Sequence, residues 1–248
     1  MNALPLPTRK LEDWRYADLD ALASLWPLPA AEQIIVAAGD RFERAIILDG
    51  SIGEAAVQQI DLTLEAGAKA AIYALNIGGQ YGRIELNVTM KKDADFKLGC
   101  AQIGGGDQNI ELVTTVTHAE EGGTSSQTVR NVLGQKATGT YLGKVAVARG
   151  AQQTDSVQDV KAMLLDRTAT ANAKPELEIY ADDVKCAHGC AIGELDAMAL
   201  YYLQSRGLTP ADAKRLLLQA FVAGAFDGAV DEEHLQQLAL AKLSELIA

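Results

Sequence analysis

The sequence predicts a mainly β chain: a solenoid of stacked β-coils, with a short helical segment before it and a helical section after it. Two observations carry this. From about Ile34 to Tyr180, apolar and polar residues alternate as in half-buried strands, in the runs Ile60–Leu64, Ile84–Val88, Ile110–Leu112, Lys144–Val147 and Glu176–Ile179. The small or acidic turns Glu65–Ala68, Lys92–Asp95, Glu121–Gly123 and Arg149–Ala151 recur at a spacing of roughly 27 to 28 residues, the mark of a stacked repeat. One such coil cannot bury its own apolar face, so neighbouring coils stack and share a continuous core. The competing fold, an antiparallel sandwich, wants tight Asn-Gly or Asp-Gly hairpins between strands. None falls between those five runs.

In chain order, residues 1–33 read as a helical entry. Pro5 and Pro7 delay the helix, Leu11, Trp14, Leu19, Leu22, Ala23 and Leu25 line one side, and Pro27 and Pro29 end the pattern. Trp14 is expected to staple this segment to the body. Residues 34–194 form the β core, with Gly78-Gly79-Gln80 and Gly104-Gly105-Gly106 at corners of coils. The latter is not a phosphate loop, because no Lys-Ser/Thr follows it. Cys100 lies in a strand as core filler, His118 is a strand residue, and His234 is on a helix surface.

Residues 195–248 read as three helices. Leu195, Met198, Ala199, Tyr202 and Leu203 make the first stripe, which stops at Gly207 after Arg206. Thr209 caps the second helix, Pro210 takes its first position, and Ala213, Leu216, Leu217, Ala220, Phe221 and Gly224 form its stripe. The third follows Asp231, with Leu235, Leu238, Ala239, Lys242 and Leu246 on one side. These helices are expected to cap the open end of the solenoid with part of their surface and offer the rest to a partner.

Composition narrows the function. With 248 residues, 48% of them hydrophobic, the chain buries a substantial core. A net charge of −11 without a Lys/Arg cluster argues against nucleic acid, and no apolar run is long enough to cross a bilayer. Three scattered cysteines and no signal-peptide pattern at Met1–Trp14 point to a reducing cytoplasm. Paired acids such as Glu120-Glu121 and Glu232-Glu233 read as solvated turns and a helix start rather than acid/base dyads.

The stretch Ala181–Cys190 holds two of the three cysteines and one of the three histidines. If it is extended, Cys186, His188 and Cys190 project from one face. Thiolate and imidazole are the ligands that iron, zinc and copper(I) prefer. Cysteine is also among the most buried residue types and packs as a small hydrophobe, so on local pattern both readings stand. An extended chain holds Cys186 and Cys190 too far apart for a disulfide.

Three longer strings carry a resemblance. Glu178-Ile179-Tyr180-Ala181-Asp182-Asp183-Val184-Lys185-Cys186-Ala187-His188-Gly189, then Gly193-Glu194-Leu195-Asp196, then Leu200–Leu208, together resemble the SufB/SufD family of iron–sulfur cluster assembly scaffolds. The likeness extends to Gly143-Lys144-Val145, Gln152–Asp155 and Lys174–Glu178, and Glu12-Asp13-Trp14-Arg15-Tyr16 resembles the motif that opens the family's body. It is dense from about Tyr141 to Phe221. The resemblance implies a right-handed parallel β-helix flanked by helical N- and C-terminal domains. It implies a scaffold rather than an enzyme, with no permanent cofactor and a transient iron or iron–sulfur cluster at the interface with a SufB-type subunit. A SufC-type ATPase would dock on the C-terminal helices, where Tyr201, Tyr202, Arg206 and Phe221 are the candidates.

The same resemblance separates two branches. The SufB cysteine falls on Val160 and the SufB glutamate on Gly189, so the chain is expected to be D-type, with His188 as an iron ligand, Cys186 beside it and Cys190 as a further candidate. Cys190 and Ala191 stand where the family usually has Ala and Thr, and the chain is shorter than typical members. Two other readings are open. A homodimer would hold iron or a cluster with Cys186, His188 and Cys190 from both copies; a β-solenoid acting on polysaccharide would show a groove of acidic and basic residues.

Overall fold

The computed structural model describes residues 5–247. Among them twelve strands run as β1 (Glu32–Val36), β2 (Arg41–Leu48), β3 (Ala55–Leu64), β4 (Lys69–Asn76), β5 (Tyr81–Met90), β6 (Asp95–Gly104), β7 (Asn109–His118), β8 (Thr124–Leu133), β9 (Thr138–Val147), β10 (Thr154–Leu164), β11 (Thr170–Ile179) and β12 (Val184–Gly193). The odd strands form one six-stranded sheet and the even strands another. Neighbours within each sheet are parallel, so each pair of successive strands is one coil of a solenoid.

The coil spans 28 residues between β1 and β3, falls to 26 between β3 and β5, and lengthens from there along the odd sheet. Asp61 lies beside Asn87, 26 residues on, Arg83 beside Glu111 at 28, and Thr140 beside Asn172 at 32. The turn spacing read from the sequence is therefore an average over a varying repeat. All five runs fall in the odd sheet, whose strands alternate between the core and a wetter outer face, as in β3 and β9. In the even sheet β8 and β10 alternate as well, but the ends of β4 and β6 are buried on both sides.

What buries the outer face of the even sheet is the C-terminal helical section: α2 (Ala197–Ser205), α3 (Pro210–Ala223) and α4 (Glu232–Ile247), following α1 (Leu19–Ala23) near the N-terminus. Leu218, Val222 and Phe226 pack with Leu235, Ala239 and Leu243 against Tyr73, Leu75, Ala101, Ile103 and Val132. A Cβ on Gly99 would run into the carbonyl oxygen of Ala225, so a bare backbone is required where the end of α3 meets β6. The helices thus lie on a flank of the solenoid, and the expected cap over its open C-terminal end is not formed. The buried face of α3 is Ala213, Leu218 and Val222, so of the expected stripe Ala213 is fully buried and Leu217 and Phe221 half-buried. Leu216 is exposed because the sheet takes the neighbouring side of the helix. Thr209 and Pro210 begin α3 as expected.

The N-terminal segment also departs from expectation. Instead of one helical stripe there is a 3-10 turn at Glu12–Trp14 and the short α1, restarted by Asp18, whose carboxylate accepts from the amides of Asp20 and Ala21. Leu11 is exposed, while Leu22 and Ala17 are buried beside Tyr81. Contacts with the β body hold this strap. The fully buried Arg83 guanidinium lies 4.0 Å from the Trp14 ring, donates to the carbonyl of Asp13 at 2.8 Å, and pairs with Glu111 at 2.8 Å and Glu85 at 2.9 Å. Trp14 is the staple that the sequence suggested.

Candidate metal site at the open end of the solenoid

Because every sheet pair is parallel and in register, inward-facing side chains stack in columns from coil to coil. Three columns end on the residues in question. Phe96, Ser125, Ser156 and Cys186 form the first, Leu98, Gln127, Gln158 and His188 the second, and Cys100, Val129, Val160 and Cys190 the third. The expected extended conformation of Ala181–Cys190 is realised from Val184 onward as β12, and Cys186, His188 and Cys190 share its inward face. β12 is the last strand of its sheet and β11 the last of the other, so this face looks into an uncovered end of the solenoid. Cys186 is half-buried, and His188 and Cys190 are exposed.

The columns differ in chemistry. Ser156 Oγ lies 2.8 Å from Ser125 Oγ, which lies 2.9 Å from His118 Nε2. In the second column Gln158 donates through Nε2 to Tyr141 Oη at 2.9 Å, and Tyr141 donates in turn to Gln127 Oε1 at 3.1 Å, which also accepts from Thr114 Oγ1 at 2.9 Å. Cys186 and His188 therefore stand at the ends of hydrogen-bonded polar columns. Cys190 ends an apolar one.

His118 is accordingly more than a plain strand residue: it is fully buried, and burial pushes its pKa down to about 4, so the ring is neutral and serves as a hydrogen-bonding spacer. Cys100 is buried core, its thiol pushed up by burial alone, as the sequence suggested. Burial, with a smaller contribution from the Asp155 carboxylate, also raises the Cys186 thiol against a lowering backbone hydrogen bond from Ser156. Burial alone raises Cys190. Both rest as thiols, and a bound cation would be needed to draw out the thiolate.

Among the described residues no group of three or more His, Cys, Asp or Glu comes close enough to hold a metal ion. Cys186, His188 and Cys190 share a face but are two residues apart along an extended chain, too spread to chelate one ion. A chelate would need ligands from elsewhere.

Tyr201 and Tyr202 are exposed on α2, where Met198 is exposed as well, and the Arg206 guanidinium lies 5.2 Å from the Tyr202 ring. No residue of α2 is fully buried: of the expected stripe, Leu195, Ala199 and Leu203 are half-buried, Leu195 against the helical core cluster, while Met198 and Tyr202 face solvent. Phe221 sits apart from these on α3, half-buried in the cluster against the even sheet, with Arg130 5.8 Å from its ring. Sequence reasoning missed Ser125, Gln127, Ser156, Gln158 and Tyr141. The alternation of Thr154, Ser156 and Gln158 with Asp155, Val157 and Asp159 held the signal, but both sets are mostly polar, and only the register tells which faces inward.

Fold and open end together define a parallel β-solenoid with a thiol and imidazole face at its C-terminal end. The chain belongs to the family described as "SUF system FeS cluster assembly, SufBD core domain", whose model matches residues 30–221. It is 34% identical to an iron–sulfur cluster assembly SufBD family protein of Synechocystis over 172 residues, covering 68% of this chain and 38% of that protein. It is 28% identical to the iron–sulfur cluster assembly protein SufD of Escherichia coli, over 75% of this chain and 44% of that protein. A third relative, the chloroplastic protein ABCI7 of Arabidopsis thaliana, is 29% identical over 79% of this chain and 42% of its own length. The chain thus spans less than half the length of these relatives. At the two positions where the resemblance puts the SufB cysteine and glutamate, Val160 is fully buried in the apolar column, and Gly189 has nothing within 4 Å of a Cβ. Among the described residues no helix is long and apolar enough to cross a membrane.

Proposed function

We propose that the chain is a D-type scaffold subunit of the Suf iron–sulfur cluster assembly complex, pairing with a SufB-type subunit at the open end and carrying a SufC-type ATPase on its C-terminal helices. The observation that supports this best is the uncovered end itself, where two unpaired edge strands frame Cys186 and His188. Such edges accept another chain's backbone. Iron or the nascent cluster is the cargo, not a resident group. His188 offers a ring nitrogen lone pair and Cys186 a thiol that loses its proton on metal binding, and the partner supplies the remaining ligands. ATP-driven movement of the docked ATPases would open and close that shared site. The exposed Met198, Tyr201 and Tyr202, with Arg206, are the contact offered to the ATPase; aromatic and arginine side chains are enriched in such contacts.

Light scattering on gel filtration, with the chain alone and then mixed with a SufB-type protein and a SufC-type ATPase from the same cell, tests this. One complex containing all three is expected. Tyr201→Ala with Tyr202→Ala should lose the ATPase and keep the SufB-type subunit, whereas His188→Ala should keep both and lose iron after anaerobic reconstitution. Unchanged iron content in His188→Ala would remove the histidine from the site. A second reading has its own support: the described residues of one copy do not assemble three ligands, and two copies joined through their edge strands would bring two sets of Cys186, His188 and Cys190 together. A stable homodimer that ignores both other proteins would put that reading first.

A further inference from the structure

We infer that Gln158 is a positioning residue for His188, accepting the imidazole N–H so that the opposite ring nitrogen faces out of the open end toward a metal ion. The inference rests on the reading of His188 as a metal-binding group and adds the residue that orients it. Gln158 is fully buried, and its carboxamide is fixed from one side only. Its Nε2 donates to Tyr141 Oη at 2.9 Å and to the carbonyl oxygen of Gly143 at 3.3 Å. Its Oε1 is buried with no hydrogen-bond partner. Leaving such an acceptor empty is costly, and natural interiors rarely do so without a reason.

Two residues adjoin Gln158 in register. One coil back is Gln127, whose Nε2 is also buried without a partner, and the two amides are not within hydrogen-bonding distance. One strand forward is His188, whose exposed ring makes no hydrogen bond among the described residues, to Gln158 included, so the inferred bond forms on rotation of that ring. Side chains in adjacent positions of these columns do bond directly, as Ser125 and Ser156 show at 2.8 Å and Gln102 and Asn131 at 3.0 Å. His188 is the side that needs the bond. A histidine that binds metal through one nitrogen regularly donates its other N–H to an oxygen that fixes ring orientation and tautomer. The neighbouring columns sharpen the assignment. Ser156 is the corresponding polar residue behind Cys186, while Val160 behind Cys190 has nothing to donate or accept. The interior thus supplies an orienting group to two of the three candidate ligands.

The chain has only three histidines, so ring ¹⁵N resonances assign readily, and Zn(II) serves as a diamagnetic probe. In the folded chain, Gln158→Leu should move the ratio of the two neutral His188 tautomers by about fivefold, the scale of one hydrogen bond. It should weaken Zn(II) binding by about tenfold or more, as loss of an orienting partner does. Ser156→Ala should leave the His188 tautomers unchanged. If Gln158→Leu fails to fold, Tyr141→Phe, which frees the carboxamide, should move the tautomer ratio in the same direction by less. A folded Gln158→Leu variant with wild-type tautomers and Zn(II) affinity would overturn the inference and assign Oε1 to Gln127. If His188→Ala itself leaves Zn(II) binding unchanged, the metal-site reading fails instead, while the tautomer ratio still reports on Gln158.

Discussion

The two halves of the solenoid interior are built from the same columns with different chemistry. In the first three coils they are filled by Phe96, Leu98, Ile72, Leu86 and Val88, with polar side chains confined to a corner at Asn76 and Gln102. From the fourth coil onward two of the columns turn polar, to Ser125 and Ser156 and to Gln127 and Gln158, with His118, Thr114 and Tyr141 bonded to them from the other sheet. The third stays apolar through Val129 and Val160. An apolar interior would suffice for stacking the coils. A buried amide or hydroxyl at best breaks even, and an orphaned one costs about 1–3 kcal/mol. His118 Nδ1, Gln127 Nε2 and Gln158 Oε1 are such orphans. Asn76 Oδ1 and Gln102 Oε1 are orphaned as well, at the corner of the first half, so what sets the second half apart is the pair of polar columns ending on Cys186 and His188, which is where a functional demand would place them.

Exchanging residues between the halves tests that asymmetry with the largest effect. Leu98→Gln puts into the apolar half the side chain that its column neighbour carries. It loses a buried leucine and strands an amide, so a cost of about 3–5 kcal/mol is expected in urea unfolding. Gln127→Leu, the reverse exchange, leaves Thr114 and Tyr141 short of an acceptor and should cost about 1–2 kcal/mol. Equal costs would mean that the two interiors are interchangeable.

Acid is the next probe, because the polar half contains the buried histidine His118. Burial holds His118 at about 4, below its ordinary 6.5. Between those values the unfolded chain binds a proton that the folded chain refuses, so stability is full above pH 6.5 and falls as pH drops toward 4, by about 3 kcal/mol in total. His118→Gln should flatten that stretch of the stability profile, measured by urea midpoints across the range. An unchanged slope would mean that His118 is protonated in the folded chain.

Much of this architecture was legible in the sequence, for identifiable reasons. The odd sheet announced itself because one face of each strand is dry and the other wetter, so Ile84-Glu85-Leu86-Asn87-Val88 alternates cleanly. The even sheet did not, because helices cover its outer face and its interior turns polar. Nor did anything local say that α3 and α4 would lie along that flank and leave the C-terminal end open. Only the surface of Tyr73, Leu75 and Ile103, assembled from separate coils, specifies their place. For the site, the shared face of Cys186, His188 and Cys190 followed from period two alone. The difference among them did not, since it lies in residues about 30 positions earlier that only the register brings alongside.

That difference predicts the smallest effect. Cys190 ends the apolar column and stands exposed beyond Val160, so Cys190→Ala removes one sulfur from a surface already open to water. The change in stability should stay within about 0.5 kcal/mol, and Zn(II) affinity should hold. Cys186→Ala removes a thiol backed by Ser156 and should lower that affinity. If Cys190→Ala proves the more damaging of the two, the rule that polar columns mark the ligands fails. Cys190 would then belong to the metal-binding face despite its apolar support, which is the arrangement that two paired copies, each contributing all three residues, would favour.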